Sequence, residues 1–233
     1  MARSEAGVRR ALVGALCAAV ALGRPARCAA QDAPPAWVLL DAGRPGPAVA
    51  VVGGLHGDEP SGAEAARALV GRGAPARGSL AVLAEANPAA LAAGTRAAPG
   101  GSDMNRLFGE RRLGQDGGPE ARRAAAILEA ALGADLVLDL HEEGGAWGEA
   151  DLPTLVLSPA AAGLALDLVE ALRDSGMPFA FAGGAPAGSL AGELGRLGRR
   201  ALVVEVPARL SGQDRVRMQL AVVEAALRLL GMR

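Results

Sequence analysis

The stretch Ala48–Pro60, AVAVVGGLHGDEP, decides the fold of this 233-residue chain. Five apolar residues followed by two glycines are typical of a short buried strand that ends in a tight turn. A helix is expected from Pro60 to about Arg72, because proline is favoured in the first helical turn and apolar residues follow at helical spacing. This strand–turn–helix unit indicates an α/β protein.

Strand and helix patterns alternate through the rest of the chain. Five further stretches are predicted as strands: 36–40, 79–83, 135–140, 154–157 and 201–206. Three more are predicted as helices, 120–132, 160–173 and 214–230, and the Gly/Ala/Pro-rich stretches 94–102 and 182–188 are predicted as loops. This alternation predicts an α/β sandwich with a largely parallel central sheet, formed as a single domain by residues 31–233.

The composition excludes several classes of function. The chain has 24 arginines but no lysine, so neither a P-loop nor a pyridoxal phosphate Schiff base can form. Its net charge of −1 gives no general attraction to nucleic acid, and none is expected as a partner. Only five residues are aromatic, so the core is expected to be aliphatic.

Residues 1–30 have the order of a secretory signal peptide. Three arginines precede the apolar run 11–22, and small residues at 28–30 make cleavage after Ala30 plausible. Twelve apolar residues are too few for a membrane span, which needs about 20. We therefore expect an exported protein, periplasmic or secreted, with no stable membrane insertion after cleavage. A buried or amphipathic N-terminal helix is the alternative.

The only two histidines of the chain follow two predicted strands, and each lies beside acidic residues. His56 comes after the strand 48–52, with Glu59 three residues later, and His141 comes after the strand 135–140. Ligands in such folds bind beyond the carboxyl ends of the strands, so these residues are expected to meet.

Two imidazoles and one carboxylate, with a fourth position open, are the ligands of a catalytic zinc. The sequence therefore predicts one Zn²⁺ per chain, held by His56, Glu59 and His141. Asp139 points to the same face of its strand as His141 and is expected to hold the second nitrogen of that imidazole. Alternatively, each histidine is an isolated polar residue at a strand end.

Four segments of the chain contain the residues of interest: Gly54-Leu-His-Gly-Asp-Glu59, Asp103-Met-Asn-Arg-Leu-Phe108 with Asn87-Pro88 upstream, Asp139-Leu-His141, and Val203-Val-Glu-Val206. In this order they resemble the motifs of the succinylglutamate desuccinylase/aspartoacylase branch of the zinc metallocarboxypeptidase-like superfamily. The resemblance implies a three-layer sandwich with a mixed, mostly parallel sheet, and a zinc-dependent hydrolase of amide bonds.

The resemblance also implies that Glu205 is the catalytic base. A carboxylate beside a zinc-activated water can take its proton and pass it to the leaving nitrogen. Glu205 is the single acid in the apolar stretch 201–207, where burial without a purpose would be costly. A salt-bridged structural role is the alternative, and Glu142 and Glu143 are rival candidates because they adjoin His141.

Substrate recognition is implied for the segment that contains Asn105 and Arg106. A planar guanidinium and an amide suit a substrate carboxylate, and relatives use them for it. Arg96 is placed where relatives have an arginine that steadies the oxyanion, but the interval from Arg96 to Asn105 is longer here by about two residues.

Three interpretations of the function remain open. The first is a deacylase acting on an N-acyl amino acid or a similar small carboxylate. The second is an exported zinc carboxypeptidase or murein-peptide amidase, because export fits poorly with cytoplasmic metabolism. The third is a non-catalytic binding protein on the same fold. Only 28 residues follow Glu205, so the additional C-terminal β-domain of several relatives is expected to be absent and the site more open.

Overall fold

The structure, a computed structural model, describes residues 33–109, 118–143 and 152–233. The predicted signal peptide, residues 1–30, lies outside these ranges. The described residues form strands β1 Val38–Asp41, β2 Ala48–Gly53, β3 Ser79–Leu83, β4 Leu136–Glu143, β5 Thr154–Leu157, β6 Ala180–Gly183 and β7 Ala201–Pro207. They also form helices α1 Pro60–Gly71, α2 Pro88–Ala93, α3 Pro119–Ala131, α4 Ala162–Asp174, α5 Leu190–Arg196 and α6 Gly212–Leu229, with 3-10 turns at Met104–Arg106 and Pro159–Ala161.

All seven strands form one mixed sheet in the order β1-β3-β2-β4-β7-β5-β6. The four central strands β3, β2, β4 and β7 are parallel to one another. The outer strand β1 is antiparallel to β3, and β5 is antiparallel to β7 and parallel to β6. The sheet is therefore mostly parallel, as predicted.

Helices cover both faces of the sheet, so the fold is a three-layer α/β sandwich. On β4, Leu136, Leu138 and Leu140 pack with α1, α4 and α6, while Val137 packs with α3 and α5 on the other face. Among the described residues, the only buried aromatic side chains of the core are Phe108 and Phe179, which agrees with the aliphatic core expected from the composition.

The sequence predicted the long elements to within a few residues but missed three short ones. Helices α2 and α5 were not predicted, and β6 overlaps the stretch 182–188 that was predicted as a loop. That prediction is wrong at Ala182 and Gly183. Strand β6 is a four-residue strand at the edge of the sheet, and its Phe181 is 54% exposed. Its second half enters the Gly183-Gly184 stretch, whose composition is typical of a loop.

The connections around β2 and β4 create the crevice in which a site is expected. From β2 the chain runs through α1, on one face, to β3, and it then returns through α3, on the other face, to β4. Neighbouring strands whose connections lie on opposite faces leave a crevice beyond their carboxyl ends, where α/β proteins bind ligands. No helix among the described residues is long and apolar enough to cross a membrane.

Candidate metal centre

Three side chains converge at the carboxyl ends of β2 and β4. Nδ1 of His56 lies 2.8 Å from Oε1 of Glu59, and Nδ1 of His141 lies 2.8 Å from Oε2 of the same carboxylate. The candidate ligand atoms of the three residues lie within 4.8 Å of one another. Both histidines are 2% exposed and Glu59 is 8% exposed, so the cluster is buried.

Two glycines allow the loop between β2 and α1 to fold so tightly. Gly54 has a φ of +69°, which favours glycine. At Gly57 a Cβ atom would overlap the carbonyl oxygen of Ala90 in α2, and the Gly57 N–H donates to the carbonyl of Thr95 at 3.0 Å. The backbone on either side of His56 is therefore fixed by close contact with α2 and the turn that follows it.

Arg123, a buried arginine on α3, supports the loop between β2 and α1 through the segment that follows β3. The guanidinium of Arg123 donates to the carbonyl oxygens of Ala33, Glu85 and Ala86. The Ala86 N–H donates in turn to the carbonyl of Gly53, at 3.0 Å. Burial lowers the pKa of Arg123, and carbonyl acceptors offset the cost of burying its charge.

A second carboxylate lies beside the far nitrogen of each imidazole. Oδ1 of Asp139, on the face predicted from the strand alternation, lies 3.2 Å from Nε2 of His141, at ion-pair distance but without the geometry of a hydrogen bond. Nε2 of His56 lies 3.1 Å from Oδ1 of Asp103, a contact that the sequence reasoning did not predict. Such carboxylates orient a ligating imidazole and raise its basicity.

The charges in the cluster stabilise one another. Burial alone would raise the pKa of Glu59, but the two histidines outweigh it and hold that pKa well below its usual range. Burial alone would lower the pKa of His141, but Asp139 and Glu59 raise it well above the ordinary value. The pKa of His56 is also raised, because Asp103 and Glu59 outweigh burial.

The donor set fits a divalent cation such as zinc. Two imidazole nitrogens and a carboxylate are the protein ligands of many catalytic zinc ions. The carboxylates around the cluster favour positive charge there, and the Nδ1 atoms already face a common point beside Glu59.

Glu205 lies on the strand next to His141. The two residues are paired across β4 and β7, so their side chains project from the same face of the sheet. On its other side Glu205 is paired with Thr154 of β5. Its side chain is half-buried rather than fully enclosed.

Glu142, one of the two rival candidates for the base, is engaged elsewhere. It points to the opposite face from His141, where its Oε1 accepts the N–H of Ser61 at 2.7 Å and its Oε2 pairs with Arg215 at 2.7 Å. A carboxylate held there cannot reach a substrate beside His141. The side chain of Glu143 lies outside the described residues.

The three predicted substrate and oxyanion residues lie in the loop beside the cluster. The guanidinium of Arg96, 47% exposed, donates to Oε1 of Glu59 at 3.1 Å and to Oδ2 of Asp103 at 3.0 Å. Oδ1 of Asn105 accepts the N–H of Leu190 at 3.1 Å. Arg106 is exposed, and its Nη1 donates to the carbonyl oxygen of Asn105 at 2.8 Å.

Comparison with known sequences identifies the family. The sequence profile of the succinylglutamate desuccinylase/aspartoacylase catalytic domain matches residues 45–230, which include all of the candidate metal, catalytic and substrate-binding residues. The chain belongs to this family. No curated protein matches its sequence significantly.

Solved structures share the fold. Product-bound Csd4, a cell shape determinant protein of Helicobacter pylori, has a TM-score of 0.72 at 18% identity, over 85% of this chain and 55% of that chain. A succinylglutamate desuccinylase/aspartoacylase of Rhodobacter sphaeroides has a TM-score of 0.64 at 26% identity, over 81% and 56%. The ectoine utilization protein EutE of Ruegeria pomeroyi has a TM-score of 0.64 at 20% identity, over 84% and 60%. The chain thus spans little more than half the length of these proteins.

The close approach at Gly57 predicts that this position tolerates no side chain. Gly57→Ala is expected to lower the free energy of unfolding by about 2–3 kcal/mol, because the methyl group meets backbone and not a movable side chain. Gly71→Ala is the matched control, since open space surrounds that helical glycine and a gain of roughly 0.5–1 kcal/mol is expected. Urea denaturation measures both; equal stability of the two variants would contradict the close approach of Gly57 to the backbone of Ala90.

Proposed function

We propose that the chain is a zinc-dependent hydrolase that cleaves an amide bond in an N-acyl amino acid or a similar small carboxylate. The observation that carries the proposal is the convergence of His56, Glu59 and His141 in a buried cluster at the carboxyl ends of β2 and β4. Membership in a family of desuccinylases and aspartoacylases supports the reaction type.

In the proposed mechanism, His56, Glu59 and His141 would hold one zinc ion. The ion would supply Lewis acidity there, which lowers the pKa of bound water to about 7 and polarises a substrate carbonyl. Glu205, on the same face as His141, takes a proton from the attacking water and delivers it to the leaving nitrogen. Asp103 and Asp139 keep the two imidazoles oriented.

Asn105 and Arg106 are proposed to bind the substrate carboxylate. Because Oδ1 of Asn105 accepts the N–H of Leu190, the amide nitrogen is the end of that side chain left to donate to a ligand. The exposed guanidinium of Arg106 offers a charged fork beside it. Arg96, which reaches Glu59 from the solvent side, is proposed to stabilise the developing oxyanion.

A carboxypeptidase acting on cell-wall peptides is the second candidate. It is favoured by the structural similarity to Csd4, which is described in its mDAP-bound form as a D,L-carboxypeptidase. The signal-like pattern of residues 1–30 supports the same candidate, because an exported enzyme would meet such peptides. We propose export of the mature chain, to the periplasm or beyond, in either case.

Metal content tests the proposal first. Purified residues 31–233 are expected to bind about one zinc per chain, and His56→Ala and His141→Ala are each expected to lose it, because three ligands share one ion. Elemental analysis after dialysis measures the stoichiometry. A folded parent chain that stays metal-free when zinc is offered would leave the non-catalytic binding protein as the better description.

The role of Glu205 predicts a separation of catalysis from metal binding. Glu205→Gln is expected to reduce kcat by about 10²–10⁴-fold, because an amide cannot accept the proton of the water. Its zinc content should stay at the parental value, since Glu205 is not one of the three ligands. Unchanged turnover would exclude Glu205 as the general base.

A substrate panel separates the two candidate reactions. N-succinyl and N-acetyl amino acids are compared with peptides of increasing length, including those that end in meso-diaminopimelate. The deacylase proposal expects kcat/KM to be highest for the acylated amino acids, whereas a preference for the peptides would favour the carboxypeptidase.

Arg106→Met should raise KM for the preferred class of substrate with less effect on kcat, because the guanidinium binds the carboxylate rather than the reacting atoms.

A further inference from the structure

The side chain of Glu59, the N-cap residue of helix α1, does not cap that helix. Glu59 occupies the N-cap position of α1, yet its side chain makes no hydrogen bond to the first turn of that helix. An N-cap side chain ordinarily accepts an N–H two or three residues further on. Here both carboxylate oxygens of Glu59 contact histidines instead.

Glu142 caps this helix from the neighbouring strand. Its Oε1 accepts the N–H of Ser61, the second residue of α1, at 2.7 Å. The Glu142 side chain is only 2% exposed, and its negative charge lies at the positive end of the helix dipole. The backbone N–H of Glu142 also donates to Oε2 of Glu59, at 3.2 Å. One residue therefore contacts both the helix start and the ligand carboxylate.

Helix α6 holds this arrangement from the face opposite to the histidine side chains. Nη1 of Arg215 lies 2.7 Å from Oε2 of Glu142, which compensates the buried charge. One turn later, Nε2 of the fully buried Gln219 donates to the backbone carbonyl of His141, at 3.0 Å. Both the end of β4 and the cap of α1 are thus fixed by a single helix.

We propose that Glu142 is a positioning residue that caps α1 in place of Glu59 and so keeps both oxygens of Glu59 directed at the metal. This inference rests on the zinc site of the proposed function. Without an acceptor at position 142, Glu59 is the N-cap side chain placed to accept the Ser61 N–H, and turning towards it withdraws an oxygen from the cluster.

The test measures metal binding rather than turnover. Glu142→Ala is expected to weaken zinc affinity roughly 10–100-fold, as is usual when a group that orients a metal ligand is removed. Glu142→Gln keeps an oxygen for the Ser61 N–H and, like Glu142→Ala, removes the anionic partner of Arg215, so the two variants differ in the capping acceptor. Its zinc affinity is expected to stay within about threefold of the parent value. Affinity is measured by competition with a chromophoric chelator on residues 31–233. The visible spectrum of the Co²⁺-substituted protein, which is expected to change in Glu142→Ala but not in Glu142→Gln, reports the ligand geometry.

Glu224→Ala is the matched control. Glu224 is another largely buried glutamate bound by arginine, at 3.1 Å from Arg72, but it contacts none of the site residues. Its loss should leave zinc affinity and the cobalt spectrum at parental values. A similar loss of affinity in Glu224→Ala would point to general destabilisation and overturn the inference.

The other possible results distinguish failure of the capping role from failure of the zinc site. Parental affinity and spectrum in Glu142→Ala would overturn the inference while leaving the zinc site standing. A loss in Glu142→Gln as large as that in Glu142→Ala would assign the effect to the charge and overturn the capping role. If Glu142→Ala does not fold, Glu142→Asp takes its place in the test. The aspartate side chain is one methylene too short to reach the Ser61 N–H, so this variant should also lose zinc affinity. A parent chain that binds no zinc overturns the proposed function and, with it, this inference.

Discussion

The carboxylate of Glu59 joins the two parts of the chain that form the site. One oxygen contacts the histidine three residues before it, and the other contacts His141, which lies 82 residues further along the sequence. A buried carboxylate is tolerated only when its oxygens are paired, and here imidazoles, Arg96 and a backbone N–H all contribute. These contacts require three features of the fold: the tight glycine turn, the register of β2 against β4, and the position of α1.

The central sheet separates the groups that do chemistry from the groups that hold them in place. Residues at 139, 141 and 205 project from one face because strand alternation and the pairing of β4 with β7 put them there. Glu142, the residue directly after His141, projects from the other face and meets α6. A single strand therefore supplies a candidate metal ligand and the residue proposed to support the site in consecutive positions, on opposite faces of the sheet.

The sequence predicted the cluster of His56, Glu59 and His141 better than it predicted the residues that surround the cluster. His56 and His141 could be identified because the chain has no other histidine and because both follow apolar strands. Asp139 followed from the period of a strand. The contact of Asp103 with His56 could not be predicted in this way, because the loop before Asp103 is irregular and its side-chain directions follow no period. For Glu142 the sequence indicates only a rival base, because its partners Ser61 and Arg215 lie on helices that are distant in the sequence.

The capping of α1 by a strand residue has a consequence for how the chain folds. Ser61 and Glu142 are 81 residues apart, and a contact of such long range forms only after the loop between them has closed. His56 and Glu59 are three residues apart and can pair much earlier. His141 and Glu142 reach them only when β4 docks beside β2. Binding of the proposed zinc ion is therefore expected to be a late event in folding, made possible by an assembled sheet. In this respect the proposed site would be the opposite of a zinc finger, in which the ion itself organises the chain.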